Sequence, residues 1–190
     1  MTEVKILAFA GSNRKLSWNR KVLDVAVAGA REAGAVVTVV NLADYPMPLY
    51  DADWHEANGV PDGMRRLRAL MMEANGLLIA SPEYNASITP LLKNTLDWLS
   101  QAVDGESGTA PYANKTGALL GASGGAFGTI RALPHVSYIL SNLGVLMLPV
   151  LAVPGVHKLF DEAGNMTDER ARGQIKALGA RLAESIAKLA

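Results

Sequence analysis

The sequence predicts an α/β domain of the doubly wound type: a five-stranded parallel sheet with helices on both faces. Three observations predict it. Short apolar, β-branched runs recur along the chain, and segments with apolar residues at helical spacing separate them. Such alternation implies parallel strands joined by helical crossovers. At 190 residues and 49% hydrophobic composition, the chain can bury one sizeable core, so a single domain over residues 1–190 is expected.

Residues 4–10 form the first apolar run, and residues 19–33 carry Val22, Leu23, Ala26 and Ala30 at helical spacing before Gly34. Residues 36–40, Val-Val-Thr-Val-Val, read as the second strand. Residues 42–61 have no clear period and hold Pro46, Pro48, Asp51, Asp53, Trp54 and His55, so a long loop with a functional or interface role is expected; Tyr45, Tyr50 and Trp54 within it, and Trp98 on the helix after Pro90, are the aromatics expected at an interface between copies. Met64, Leu67, Leu70, Met71 and Ala74 mark the next helix, and residues 76–81 the third strand. Thr89 offers an N-cap and Pro90 a first helical residue, ahead of Leu91, Leu92, Leu96 and Leu99. Residues 116–122 read as the fourth strand and residues 130–143 as a helix stopped by Gly144. Pro134 fits that helix only in a first turn or at a kink. The fifth strand is expected within residues 145–153, interrupted or bounded by Pro149. The last helix begins at Thr167-Asp168-Glu169 and buries Ile175, Leu178, Leu182, Ile186 and Leu189.

Right-handed crossovers leave few topologies, and the expected order is 2-1-3-4-5, that of flavodoxin-like sheets. The chain direction then reverses between strands 1 and 3, where ligands bind in open sheets of this type.

Eighteen basic and eighteen acidic side chains give a formal charge of zero, which argues against nucleic acid as a partner. Without cysteine there is no disulfide, thiolate metal site or cysteine nucleophile. His55, His135 and His157 lack metal-ligand spacing. No apolar run reaches membrane-span length and the start lacks a signal-peptide pattern, so a cytoplasmic protein with no membrane partner is expected.

The loops behind strands 1, 3 and 4 carry the chemistry. "GSNRKLSWNR", residues 11–20, opens a helix, where backbone N–H groups and the helix dipole favour an anion. Ser12, Ser17 and Asn19 add neutral donors and Arg14 a charge-assisted one. Lys15 and Arg20 read more simply as solvated cations. The P-loop and dinucleotide glycine patterns are both absent. "SPEYNASITP", residues 81–90, has a turn restricted by Pro82, followed by Glu83, Tyr84 and Asn85, where a flat heteroaromatic ring could stack and hydrogen-bond. Taken singly, Tyr84 reads equally as a half-buried turn aromatic and Glu83 as a solvated acid. "GASGGAFG", residues 121–128, lets backbone approach a ligand, with Ser123, Gly124 and Gly125 at its centre. Its faint likeness to a hydrolase nucleophile elbow finds no partnering His and acid.

Together, "GSNRKLSWNR", "SPEYNASITPLLKNTLDWLS" and "GASGGAFGTIRA" resemble the NADPH-dependent FMN reductase family, which includes soluble quinone, chromate and azo-dye reductases. The most specific part is Pro82-Glu83-Tyr84-Asn85 with Lys93-Asn94 and Asp97-Trp98 downstream. The resemblance implies a flavodoxin-like fold, bound FMN, NAD(P)H as electron donor, a small-molecule acceptor and a homodimer or homotetramer. It implies that Gly11, Ser12, Arg14, Ser17 and Asn19 hold the FMN phosphate. Pro82, Glu83, Tyr84 and Asn85 would line the isoalloxazine, largely through backbone, and Ser123, Gly124 and Gly125 would border its other side. With the flavin as redox group, no catalytic side chain is required, and donor and acceptor would use one open site in ping-pong order. A flavodoxin-type electron carrier is the alternative, although such carriers tend to be strongly acidic and this chain is neutral. A nucleoside-processing enzyme on the same architecture would be colourless.

Overall fold

The computed structural model describes residues 3–189. Its sheet is parallel throughout, in the order β2 (Val36–Val40), β1 (Lys5–Ala10), β3 (Gly76–Ala80), β4 (Thr116–Ala122), β5 (Leu146–Met147). The expected 2-1-3-4-5 order is observed. The fifth position is split: after β5 the chain re-enters the sheet as β6 (Leu151–Val153), which pairs with the carboxyl half of β4. The break falls at Pro149, which has no N–H to give a ladder.

Two cores form because alternate residues of each strand point to opposite faces. Ile6, Ala8 and Ala10 of β1 meet α1 (Trp18–Glu32) and α6 (Glu169–Leu189). Leu7 and Phe9 meet α3 (Asp62–Glu73), α4 (Pro90–Leu99) and α5 (Leu133–Asn142). β3 and β4 are buried along their whole length, as their unbroken apolar composition requires.

Three boundaries differ from the sequence expectation. Residues 42–61 are not one loop: they hold a 3-10 turn at Leu42–Asp44 and α2 (Ala52–Asn58), capped by Asp51, whose carboxylate accepts the Trp54 N–H at 2.8 Å. α2 buries no residue, so it has no apolar stripe for periodicity to detect. α5 starts at Leu133 rather than residue 130, which places Pro134 in its first turn. α1 spans Trp18–Glu32 rather than residues 19–33, whereas α6 starts within the expected Thr167-Asp168-Glu169, with Asp168 accepting the Ala171 N–H at 2.8 Å.

The aromatics expected at an interface pack within their own chain. Trp98 is fully buried, donates its indole N–H to the Pro48 carbonyl at 2.8 Å, and meets Tyr50 and Trp54 edge-on. Asn94 fixes the same segment, accepting the Tyr50 N–H and donating to the Pro48 carbonyl. The downstream half of the 81–100 motif thus anchors residues 48–50.

α1 and α6 cross backbone against backbone through two glycines. A methyl group on Gly29 would stand 2.0 Å from the Lys176 carbonyl oxygen, and one on Gly179 would stand 1.9 Å from that of Ala26. A methyl at Gly173, also in α6, would meet nothing within 4 Å. Gly179→Ala should therefore destabilise by about 1–3 kcal/mol. That corresponds to roughly 2–4 °C in Tm per kcal/mol at this chain length. Gly173→Ala should stabilise by about 0.5–1 kcal/mol through helix propensity alone. Thermal unfolding of the two variants checks the crossing: equal effects would contradict it.

Candidate functional site

The carboxyl ends of β1, β3 and β4 converge where the strand order reverses, and the three loops that leave them are tied together. The Gly11 N–H donates to the Ala80 carbonyl at 2.8 Å, and the Thr89 hydroxyl donates to the Gly11 carbonyl at 2.9 Å. A methyl on Gly11 would lie 3.0 Å from Leu92 Cβ, so glycine permits this close approach. Thr89 also caps α4, accepting the Leu92 N–H as its sequence position suggested.

The first loop offers donors with few internal acceptors. Ser17 is the N-cap of α1, but its side chain caps nothing, and no acid stands in the first turn. The helix's opening N–H groups therefore face outward with the positive end of its dipole. Ser12 is buried, and its hydroxyl accepts the Arg14 N–H at 3.3 Å. Arg14 is exposed, and its guanidinium has no partner among the described residues. Arg20 instead braces the loop from behind, donating to the Ser12 carbonyl and to the Asn41 side chain. Asn19 is buried and both ends of its amide are engaged: it donates to the Ala122 carbonyl at 3.0 Å and accepts the Ala122 N–H at 2.9 Å. It joins the first loop to the end of β4.

The third-strand loop is a two-residue hairpin. Tyr84 and Ser87 exchange backbone hydrogen bonds at 3.1 and 3.0 Å, with Asn85 at φ 50° and Ala86 at φ 62°. Positive φ at both central residues is the type I′ geometry. Asn tolerates it, while Ala adopts it at some strain. Tyr84 is exposed. Glu83 turns away from solvent: its side chain is 7% exposed and forms an ion pair with Arg131. It also accepts the N–H groups of Arg131 and Ala132, each at 3.1 Å. Burial alone would raise this carboxyl. The Arg131 guanidinium and the Ala132 and Arg131 N–H groups outweigh burial and hold it below its usual value of 4.5.

The fourth-strand loop, residues 123–132, is pinned to the segment after β6. The Ser123 N–H donates to the Val153 carbonyl, while the Val156 and Gly155 N–H groups donate to the Ser123 and Gly125 carbonyls. Gly124 and Gly125 are exposed, and methyl groups there would meet nothing closer than 3.4 Å, the Nδ1 of His157. Their lack of side chains leaves room above the backbone. Gly121 is glycine for packing instead, since a methyl would stand 1.9 Å from the Thr129 hydroxyl oxygen. Thr129 is held at φ 73° with its buried hydroxyl unpartnered, a strained post beneath this loop.

The structure thus gathers Gly11, Ser12, Arg14, Ser17 and Asn19 on one wall, Pro82, Glu83, Tyr84 and Asn85 on a second, and Ser123, Gly124 and Gly125 on a third. Asn19 and Glu83 spend their side chains tying walls together. Sequence reasoning missed Arg131, whose sole cue was its place in the "GTIRA" run, and His157, which folding alone brings beside Gly124. Among the described residues, no group of three or more His, Asp or Glu could hold a metal ion. No helix there is long and apolar enough to cross a membrane.

Fold and crevice define a flavodoxin-like domain whose donor-rich first loop lies at the sheet's switch point. The model of the NADPH-dependent FMN reductase family matches residues 4–158, and the chain belongs to that family. It is accordingly an oxidoreductase that uses FMN and a reduced nicotinamide nucleotide. It is similar to an NAD(P)H-dependent FMN reductase of Pseudomonas aeruginosa, 35% identical over 176 residues that cover 92% of this chain and 90% of the relative. It is also similar to a quinone reductase of Escherichia coli K12, 30% identical over 184 residues covering 93% and 94%. FerB of Paracoccus denitrificans, an NAD(P)H:acceptor flavoenzyme, shares the fold at TM-score 0.82 with 24% identity, covering 97% of this chain and 98% of its own.

Glu83 provides a pH test of how the walls are joined. Its folded value lies below the unfolded one, so its contribution is complete above the unfolded value and is lost as pH falls through the folded one. Glu83→Gln should melt below wild type at about pH 7, and the gap should close as the pH drops below 4.5. A gap unchanged down to about pH 3 would mean the ion pair contributes nothing.

Proposed function

We propose that the crevice is the FMN site, that small quinones are the electron acceptors, and that NAD(P)H and acceptor occupy the crevice in turn. The observation that carries the reading is the first loop: buried Ser12 and Ser17, uncapped helix N–H groups, no acid, and an unpaired Arg14. That donor set fits a phosphate dianion. In the proposed complex, Ser12, Arg14, Ser17 and the first-turn N–H groups bind the phosphate, with Gly11 and Asn19 shaping the loop. Backbone of Pro82, Glu83, Tyr84 and Asn85 lines one edge of the ring system, and Ser123, Gly124 and Gly125 the other. When bound, FMN would supply hydride acceptance and donation, and the chain's part would be to position it. Quinone as acceptor is favoured by the Escherichia coli relative and by a 2-hydroxy-1,4-benzoquinone reductase of a Burkholderia species, 30% identical over 89% of this chain. Chromate, azo compounds and free flavin would enter the same space.

We also infer a cytoplasmic protein that self-associates as a homodimer or homotetramer. Tyr138, Phe127 and Leu49 are large apolar side chains left exposed by the single chain, which supports a contact between copies. Sedimentation at micromolar concentration should return a multiple of the 20.1 kDa chain. A 20.1 kDa particle would defeat the assembly.

A hydrogen bond to a charged group contributes about 1.5–3 kcal/mol. Arg14→Ala should therefore weaken FMN binding to the flavin-free protein by roughly 10- to 150-fold. Ser12→Ala should weaken it less, because the backbone donors remain. Riboflavin, with the same ring and no phosphate, should bind both variants almost as it binds wild type. Equal losses for the two ligands would show that Arg14 supports the fold rather than the phosphate.

A further inference from the structure

The hairpin that lines the crevice makes a second contact with the start of α5, beyond the Glu83–Arg131 pair. The Ser87 hydroxyl lies 3.0 Å from His135 Nδ1. His135 is exposed in the first turn of α5, and its Nε2 has no hydrogen-bond partner among the described residues. A serine hydroxyl beside Nδ1 fixes the plane of the ring and leaves Nε2 free to carry the imidazolium's second proton. The other titratable and charged side chains of the segments that meet here are Glu83 and Tyr84 on the hairpin, Arg131 ahead of α5 and Tyr138 within it. Glu83 and Arg131 neutralise each other. Tyr84 and Tyr138 are exposed phenols. His135 is the imidazole of this rim, with one ring nitrogen held and the other open to a ligand.

Quinone reduction has a use for it. The balanced reaction is NAD(P)H plus quinone plus one proton giving NAD(P)⁺ plus hydroquinone. The hydride carries two electrons and one proton, so one further proton must reach a quinone oxygen. We propose that His135 is a catalytic residue of the oxidative half-reaction: its imidazolium donates the Nε2 proton to that oxygen and keeps Nδ1–H on Ser87. The O–H bond forms as the Nε2–H bond breaks, and water restores the proton to the exposed ring. Ser87 is the positioning residue. The proposal rests on the quinone-reductase reading above.

Two acceptors separate the possibilities, because ferricyanide takes up electrons without protons. In the FMN-loaded enzyme, His135→Gln should lower the ratio of quinone to ferricyanide turnover by between about 10- and 100-fold, since water replaces part of a general acid's effect at an exposed site. Ser87→Ala should lower the ratio less. The flavin-free protein gives an independent readout: ¹⁵N shifts of the neutral His135 ring should place its proton on Nδ1 in wild type and should change in Ser87→Ala. An unchanged ratio in His135→Gln, or a neutral ring protonated on Nε2 in wild type, would overturn the role of His135 while leaving the quinone reading intact. A wild-type enzyme that reduces ferricyanide but no quinone would overturn that reading and this proposal with it.

Discussion

One side-chain amide holds the site in register. Asn19 spans 103 residues of sequence to give and take a hydrogen bond at the backbone of Ala122, where β4 ends. Both partners are buried, so leaving either unpaired would carry the full desolvation penalty of a polar group. The bond fixes where α1 begins relative to the glycine loop. The outward aim of the helix's first N–H groups depends on that placement, and so does the width of the crevice.

The other ties follow the same logic. Thr89 clamps the first loop to α4, and Glu83 clamps the hairpin to the approach to α5. Glu83, like Asn19, is a polar side chain that the sequence offers as a possible ligand contact, whereas Thr89 adds this clamp to the capping role its position suggests. The consequence is a rim assembled before any cofactor arrives, so little of the binding energy goes into ordering it. What would remain for a ligand is the set of groups the protein does not satisfy itself: α1's first-turn N–H groups, Arg14, and the backbone of Asn85, Ala86 and Gly124.

The strand order and the three crevice loops were legible in the sequence because they rest on strong local signals. Runs such as residues 76–80 and 117–122 are apolar throughout, and Thr89-Pro90 and Gly34 punctuate helices unambiguously. The helix at Ala52–Asn58 was invisible because it buries nothing and so has no period. Trp98 looked like an interface aromatic because sequence cannot tell that Pro48 and Tyr50 fold over it. The double duty of Asn19 and Glu83 was hidden for a related reason: their partners lie 103 and 48 residues away, and only the sheet order brings them close. The resemblance supplied which loops matter; the coordinates supply which of their side chains are free.

The central claim is that one preassembled crevice at the carboxyl ends of β1, β3 and β4 receives the flavin. Amide hydrogen exchange, compared between the flavin-free and FMN-loaded protein, tests it most directly. The account predicts added protection in residues 11–20, 81–89 and 121–132, strongest at the first turn of α1, with the amino ends of the strands unchanged. Protection centred elsewhere, or spread evenly as global stabilisation with no excess in those three segments, would contradict it.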